Sequence, residues 1–173
     1  MQSGQGLSFE QAVELKPQQI KEVAFAPDIV LQNPRLWWPV NYGAQNLYRL
    51  RLEFIQDSVV SDVEEVALGV REISKELHEL DSCHGLQLHI NGRKIFCRGG
   101  YIQHELLFDW DRERMETEVR YFTSANLNMV YFEDIPNPPD AFLEACDRYG
   151  LLFGACFYSC YWLRPGTGLC SRR

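Results

Sequence analysis

The feature that most constrains this chain is a change of hydrophobic period near residue 86. Before it, apolar residues recur at every second position. In Leu47-Tyr48-Arg49-Leu50-Arg51-Leu52-Glu53-Phe54, one side carries Tyr48, Leu50, Leu52 and Phe54, and the other Arg49, Arg51 and Glu53. A period of two predicts a strand with one wet face. Val66, Leu68 and Val70 predict another strand, and Ile20 to Phe25 an earlier one. Antiparallel sheets with one solvated face usually pair into sandwiches.

From residue 86 the pattern changes. Leu86 to Ile90 is a short alternating strand, and Asn91-Gly92 is a strong hairpin signal. Lys94 to Arg98 returns as a strand, closed by Gly99-Gly100. Asp111 is a plausible N-cap for a helix whose stripe is Met115, Val119 and Phe122. Asn126 to Asn128 ends that helix, and Met129-Val130-Tyr131-Phe132 is a compact buried-type strand. A second helix starts near Asp140, with Phe142, Leu143, Cys146 and Tyr149 on one side and Gly150 at its C′ position. Leu151 to Tyr158 is a third apolar strand. The second half therefore reads β-α-β-α-β, the pattern of parallel strands joined by helical crossovers. Gly99-Gly100 lacks the G-x-G-x-x-G spacing, which argues against a dinucleotide-binding oxidoreductase.

Composition narrows the partners. The net charge of −7 disfavours nucleic acid and anionic membranes. No apolar run is long enough to span a bilayer, and the polar start shows no signal peptide, so the compartment stays open. The 13% aromatic content fits a sugar-binding surface as well as a large core. Cys83, Cys97, Cys146, Cys156, Cys160 and Cys170 form no C-x-x-C pair. Several sit in apolar runs, which predicts buried free thiols. The four histidines lack H-x-x-x-H spacing, so no metal site and no cofactor are expected.

The run Pro34-Arg35-Leu36-Trp37-Trp38-Pro39, followed by Tyr42-Gly43 and Asn46-Leu47-Tyr48, resembles the sandwich domain of family 2 glycoside hydrolases. Gly69-Val70-Arg71 resembles the Gly-x-Arg that closes that domain. Leu88-His89-Ile90-Asn91-Gly92, Ile95-Phe96 and Arg98-Gly99 are similar to the stretch leading into the family's barrel. Ala125 to Val130, then Phe142, Cys146-Asp147 and Gly150-Leu151-Leu152, follow in the family's order. Arg98-Gly99-Gly100 and Tyr131-Phe132-Glu133 look nearest to the exo-β-glucosaminidase and β-mannosidase branches. Family members commonly carry Arg at the position of Tyr131 and Gly at that of Asp134.

The resemblance implies a partial immunoglobulin-like β-sandwich over residues 1–80. The first two to three units of a (β/α)8 TIM barrel would follow over 81–173. A complete barrel needs ~250 residues, or ~30 per unit. The family's two catalytic glutamates end the fourth and seventh barrel strands, beyond the reach of this chain, so no catalytic residue is expected in it. Glu105, Glu133 and Trp162 are the implied substrate contacts. Tyr101 and Trp110 are further candidates for stacking on a sugar ring. Trp37 and Trp38 are read as packing between the two domains. The expected partner is an oligosaccharide or β-glycoside, and the expected function is that of an exo-acting β-glycosidase segment, inactive alone. The alternative is a non-catalytic carbohydrate-binding or scaffold module. A parallel fragment of three strands also predicts an open apolar edge and marginal stability.

Overall fold

The computed structural model describes residues 6–25, 30–80, 83–102, 111–132 and 138–155. The chain divides into two compact units, Met1–Pro34 and Arg35–Arg173. The described residues of the first unit form no strand. Among the described residues a turn runs from Lys16 to Gln19, where Gln19 N donates to Lys16 O at 3.0 Å and Gln18 takes φ 62°. The expected strand from Ile20 to Phe25 is therefore corrected. Ile20 is fully exposed, and an extended segment becomes a strand only through a ladder of backbone hydrogen bonds.

The second unit holds all the regular elements. Strands β1 (Tyr48–Gln56) and β2 (Val59–Leu68) form an antiparallel hairpin. Its turn residues Asp57 and Ser58 both take positive φ, at 51° and 64°, which matches the twist that two-residue hairpins prefer. The alternation in β1 is as expected, but the dry face is not. Leu50, Leu52 and Phe54, with Val66 opposite Leu50 and Leu68 opposite Tyr48, all remain exposed. A sheet of two strands has no second layer of its own to cover that face.

Strands β3 (Ile73–Leu80), β4 (Cys83–Ile90) and β5 (Arg93–Ile95) form a second antiparallel sheet. Asn91 and Gly92 make the β4–β5 turn with φ of 50° and 74°, as the sequence requires. The returning strand is shorter than expected and ends at Ile95. Gly99 and Gly100 do not close it. They open the parallel strand β6 (Gly99–Ile102), which pairs with β7 (Met129–Phe132). The reason is a close approach: a Cβ on residue 99 would lie 1.8 Å from Met129 O. Only glycine lets the two backbones meet there.

Strand β8 (Leu152–Ala155) completes the parallel sheet β6-β7-β8. The rest of the expected third strand, residues 156–158, lies outside the described residues. Helices α1 (Arg112–Ser124) and α2 (Asp140–Tyr149) are the crossovers. Asp111 caps α1 by accepting from Glu113 N at 2.9 Å, and Gly150 caps α2 in the left-handed region at φ 79°. One face of the sheet packs on both helices. Val130, Phe132, Met115, Val119, Phe142, Ala145 and Cys146 are buried there. Phe132 and Phe142 meet edge-on, with ring centroids 4.8 Å apart, an arrangement that aromatic quadrupoles favour. At the outer rim, Tyr149 Oη donates to Glu116 at 2.6 Å and Arg148 pairs with the same carboxylate. The Tyr149 hydrogen bond holds that carboxyl below its usual range.

Two buried groups join these layers. Asn128 is fully buried and clips the β5–β6 connection to the sheet. Its Nδ2 donates to Phe96 O at 2.9 Å, and its Oδ1 accepts from Arg98 N at 2.7 Å. Trp37 is 1% exposed and packs with Ile90, Ile95 and Leu152. Its backbone N–H donates to Val70 O at 2.8 Å, and its indole N–H donates to Asp147 O at 2.7 Å. The Arg71 guanidinium lies 4.3 Å above the same ring and binds Asp147 Oδ1 at 3.1 Å. The two motifs Leu-Trp-Trp-Pro and Gly-x-Arg thus meet at one indole, against helix α2.

The expectation of buried thiols holds at Cys146 and fails at Cys97, which is exposed. Residues 96–98 lie between two sheets rather than within one, so their side chains are not forced inward.

Two outcomes follow. Trp37→Phe removes the indole donor and leaves Asp147 O unpaired, so urea unfolding is expected to lose about 1–3 kcal/mol at an unchanged m-value. Burial, reinforced by the Asp147 charge, pushes the Cys146 thiol up to about 12. At neutral pH a thiol reagent is therefore expected to modify Cys97 in the folded chain and Cys146 only after unfolding, as read by peptide mass mapping.

Candidate functional site

Parallel sheets built from β-α units offer their ligand sites at the C-terminal ends of the strands. In this chain those ends are Ile102, Phe132 and Ala155, which stand side by side in register with the last residues of β6, β7 and β8. The expected contact Glu105 follows β6 in sequence, Glu133 follows β7 directly, and Trp162 follows β8. Glu105, Glu133, Trp162 and Trp110 themselves lie outside the described residues.

The face of the sheet turned away from the helices is divided into two halves. Its lower half, toward the N-terminal ends, is made by Gly99, Met129 and Leu152. Met129 and Leu152 pack there with Trp37, Ile90 and Ile95. Leu152 is buried there, Met129 is half-buried and Gly99 is exposed. The upper half is made by Tyr101, Tyr131 and Gly154, one residue in from the strand ends. The Tyr101 and Tyr131 rings lie 5.8 Å apart at a tilt of 40°. Tyr101 is 67% exposed. The Tyr131 ring leans across Gly154, where a Cβ would come within 2.3 Å of its edge.

Of the sequence-derived candidates, only Tyr101 falls among the described residues, and it sits beside the strand ends as expected. Tyr131 and Gly154 were not singled out as members of a surface. A usable signal existed. Period two in β7 separates Met129 and Tyr131 from Val130 and Phe132, and a lone glycine interrupts the apolar run of β8. Their meeting across three strands depends on register, which no local pattern fixes.

A second concavity of about 630 Å³ lies between the β1–β2 hairpin and α2, lined by Tyr48, Arg49, Glu65, Leu143, Glu144 and Asp147 among others. Several of its charges are already matched. Arg49 pairs with Glu65 at 3.8 Å, Arg112 with Glu144 at 2.7 Å, and Arg71 with Asp147 at 3.1 Å. Matched surface charges of this kind offer little to a ligand.

Comparison with known proteins agrees with this geometry. Residues 3–71 match the model of glycosyl hydrolases family 2. An exo-beta-D-glucosaminidase of Streptomyces avermitilis is 33% identical over 149 residues, covering 84% of this chain and 16% of that protein. A mannosylglycoprotein endo-beta-mannosidase of Lilium longiflorum is 28% identical over 168 residues, covering 90% of this chain and 17% of its own. Among solved structures, the exo-chitosanase CsxA of Amycolatopsis orientalis superposes with a TM-score of 0.66 at 28% identity, covering 75% of this chain and 15% of that one. The chain thus spans about one-sixth of the length of the curated relatives it matches. The ordered motifs around Trp37, the family match and the shared fold together make this chain a member of glycosyl hydrolase family 2.

Proposed function

We propose that this chain is a segment of a retaining, exo-acting β-glycosidase and does not turn over by itself. On this reading, residues 1–80 belong to an immunoglobulin-like β-sandwich, and residues 81–173 to the first units of a (β/α)8 barrel. The observation that supports it most is the parallel β6-β7-β8 sheet with two crossover helices, in a chain 33% identical to an exo-β-D-glucosaminidase across 84% of its length.

The chemistry explains why such a segment is silent alone. A retaining glycosidase needs two carboxyl groups about 5 Å apart. One protonates the leaving oxygen and the other attacks the anomeric carbon. In the family pattern both are supplied by later strands. What this segment contributes is binding. Glu105, Glu133 and Trp162 contact the sugar from loops at the strand ends, where two carboxylates and an indole suit a polar ring with one apolar face. The substrate class is an oligosaccharide or simple β-glycoside of an amino sugar or mannose, in carbohydrate metabolism.

The test uses this chain and a longer polypeptide that continues it through the later barrel strands. The expected result is no hydrolysis of aryl β-glucosaminide or aryl β-mannoside by the 173-residue chain, and turnover of one of them by the longer one. In the longer protein, Glu105→Gln or Glu133→Gln is expected to lower kcat/KM by about tenfold or more, as loss of a charge-assisted hydrogen bond would. Hydrolysis by the short chain that disappears in either variant would contradict the proposal. Saturable sugar binding by a longer protein without turnover would favour the non-catalytic binding module instead.

A further inference from the structure

The β1–β2 hairpin has two outer edges, and among the described residues neither is joined to a further strand. An open edge is a row of backbone N–H and C=O groups that a matching strand can pair with. The two edges are guarded differently. Strand β2 carries Asp62, Glu64 and Glu65 and no cation, so a second β2 laid beside it meets like charge. Strand β1 carries Arg49, Arg51 and Glu53. Another β1 can therefore oppose or match those charges, and the register decides which.

We propose that a second copy of this chain adds its β1 to this β1, antiparallel, about a twofold axis at Leu52. The product is a four-stranded sheet in the order β2-β1-β1-β2. With the axis at Leu50, Arg49 of one copy faces Arg51 of the other. With the axis at Arg51 or at Glu53, that residue faces its own copy. With the axis at Leu52, Arg51 faces Glu53 twice, Leu50 faces Phe54 twice, and Leu52 meets Leu52. Directly opposed unlike charges and apolar pairs stabilise a sheet, and like charges destabilise it.

The structure prepares both kinds of contact. Arg51 Nη2 already lies 2.7 Å from Glu53 Oε1 of its own strand, with both side chains partly exposed. Pairing joins two such ion pairs into a ring of four alternating charges. Leu50, Leu52 and Phe54 are all exposed, and the partner strand removes part of their surface from water. The hairpin register shifts between Phe54 and Ile55, which limits the new ladder to about five residue pairs. A small interface of this kind is weak, so the dissociation constant is expected to be about 100 µM. This surface lies on the hairpin and uses no proposed sugar contact, so it stands apart from the glycosidase reading.

The experiment is sedimentation equilibrium of the full chain across that concentration range. The mass is expected to rise from 20.1 kDa and level off at twice that value. Arg51→Glu sets carboxylate against carboxylate across the axis, and Glu53→Arg sets guanidinium against guanidinium. Each variant alone is expected to associate about tenfold more weakly or worse. An equal mixture of the two restores every opposite-charge pair, so it is expected to dimerise at least as tightly as the wild type. Leu52→Lys, at an exposed position on the axis, is expected to weaken the dimer while the thermal melt stays that of the wild type.

A chain that stays monomeric throughout would overturn the proposal. So would growth past the dimer without a plateau, wild-type association by either charge variant, or a mixture no tighter than its components.

Discussion

The burial of Trp37 is the constraint on which the second unit depends. A tryptophan is large enough to touch three layers at once, and this one does. Its backbone is tied to Val70, its indole N–H to Asp147 of α2, and its ring to Ile90, Ile95 and Leu152. Burying so large an apolar surface is strongly favourable, and the single polar atom must still find an acceptor. The acceptor is a backbone carbonyl on helix α2, so the orientation of that helix is coupled to the loop that carries Trp37. Arg71 adds a second tie by covering the ring and binding the Asp147 carboxylate.

The same logic runs one layer further. Asn128 is buried with both ends of its amide bonded to the β5–β6 connection. A buried amide is tolerated only when its partners are satisfied, so it specifies where the antiparallel hairpin ends and the parallel sheet begins. Close contact at Gly99 then fixes the pairing of β6 with β7. Together these features cover the lower half of the sheet's helix-free face around Leu152 and, in part, Met129. The upper half is left as the surface that bears Tyr101 and Tyr131, and functional chemistry is most naturally sought there.

The exposed apolar face of β1 and β2 has a different character. It presents Leu50, Leu52, Phe54, Val66 and Leu68 on one side of a two-stranded ribbon. A ribbon of that kind gains its stability from a second layer. The chain covers about one-sixth of the relatives it matches, and the alternation in β1 is that of a strand selected to be half buried.

Local rules determined much of this protein. Period two placed β1, and the helical stripes and caps placed α1 and α2 to within a residue or two. Asn91-Gly92 placed the β4–β5 turn. Each signal acts through neighbours a few positions away, so each is written in a short stretch of sequence. Tertiary structure decided the rest. Gly99-Gly100 looks like the end of a strand and is the start of one, because Met129 O approaches from thirty residues away. Ile20 to Phe25 has a strand's composition without a strand's ladder. Cys97 sits in an apolar run and is exposed. The site divides in the same way. The strand ends at Ile102 and Phe132 were legible from the β-α alternation. The pairing of Tyr101 with Tyr131 over Gly154 was not, because register between strands is set by packing and backbone contact across the sheet rather than by any one segment.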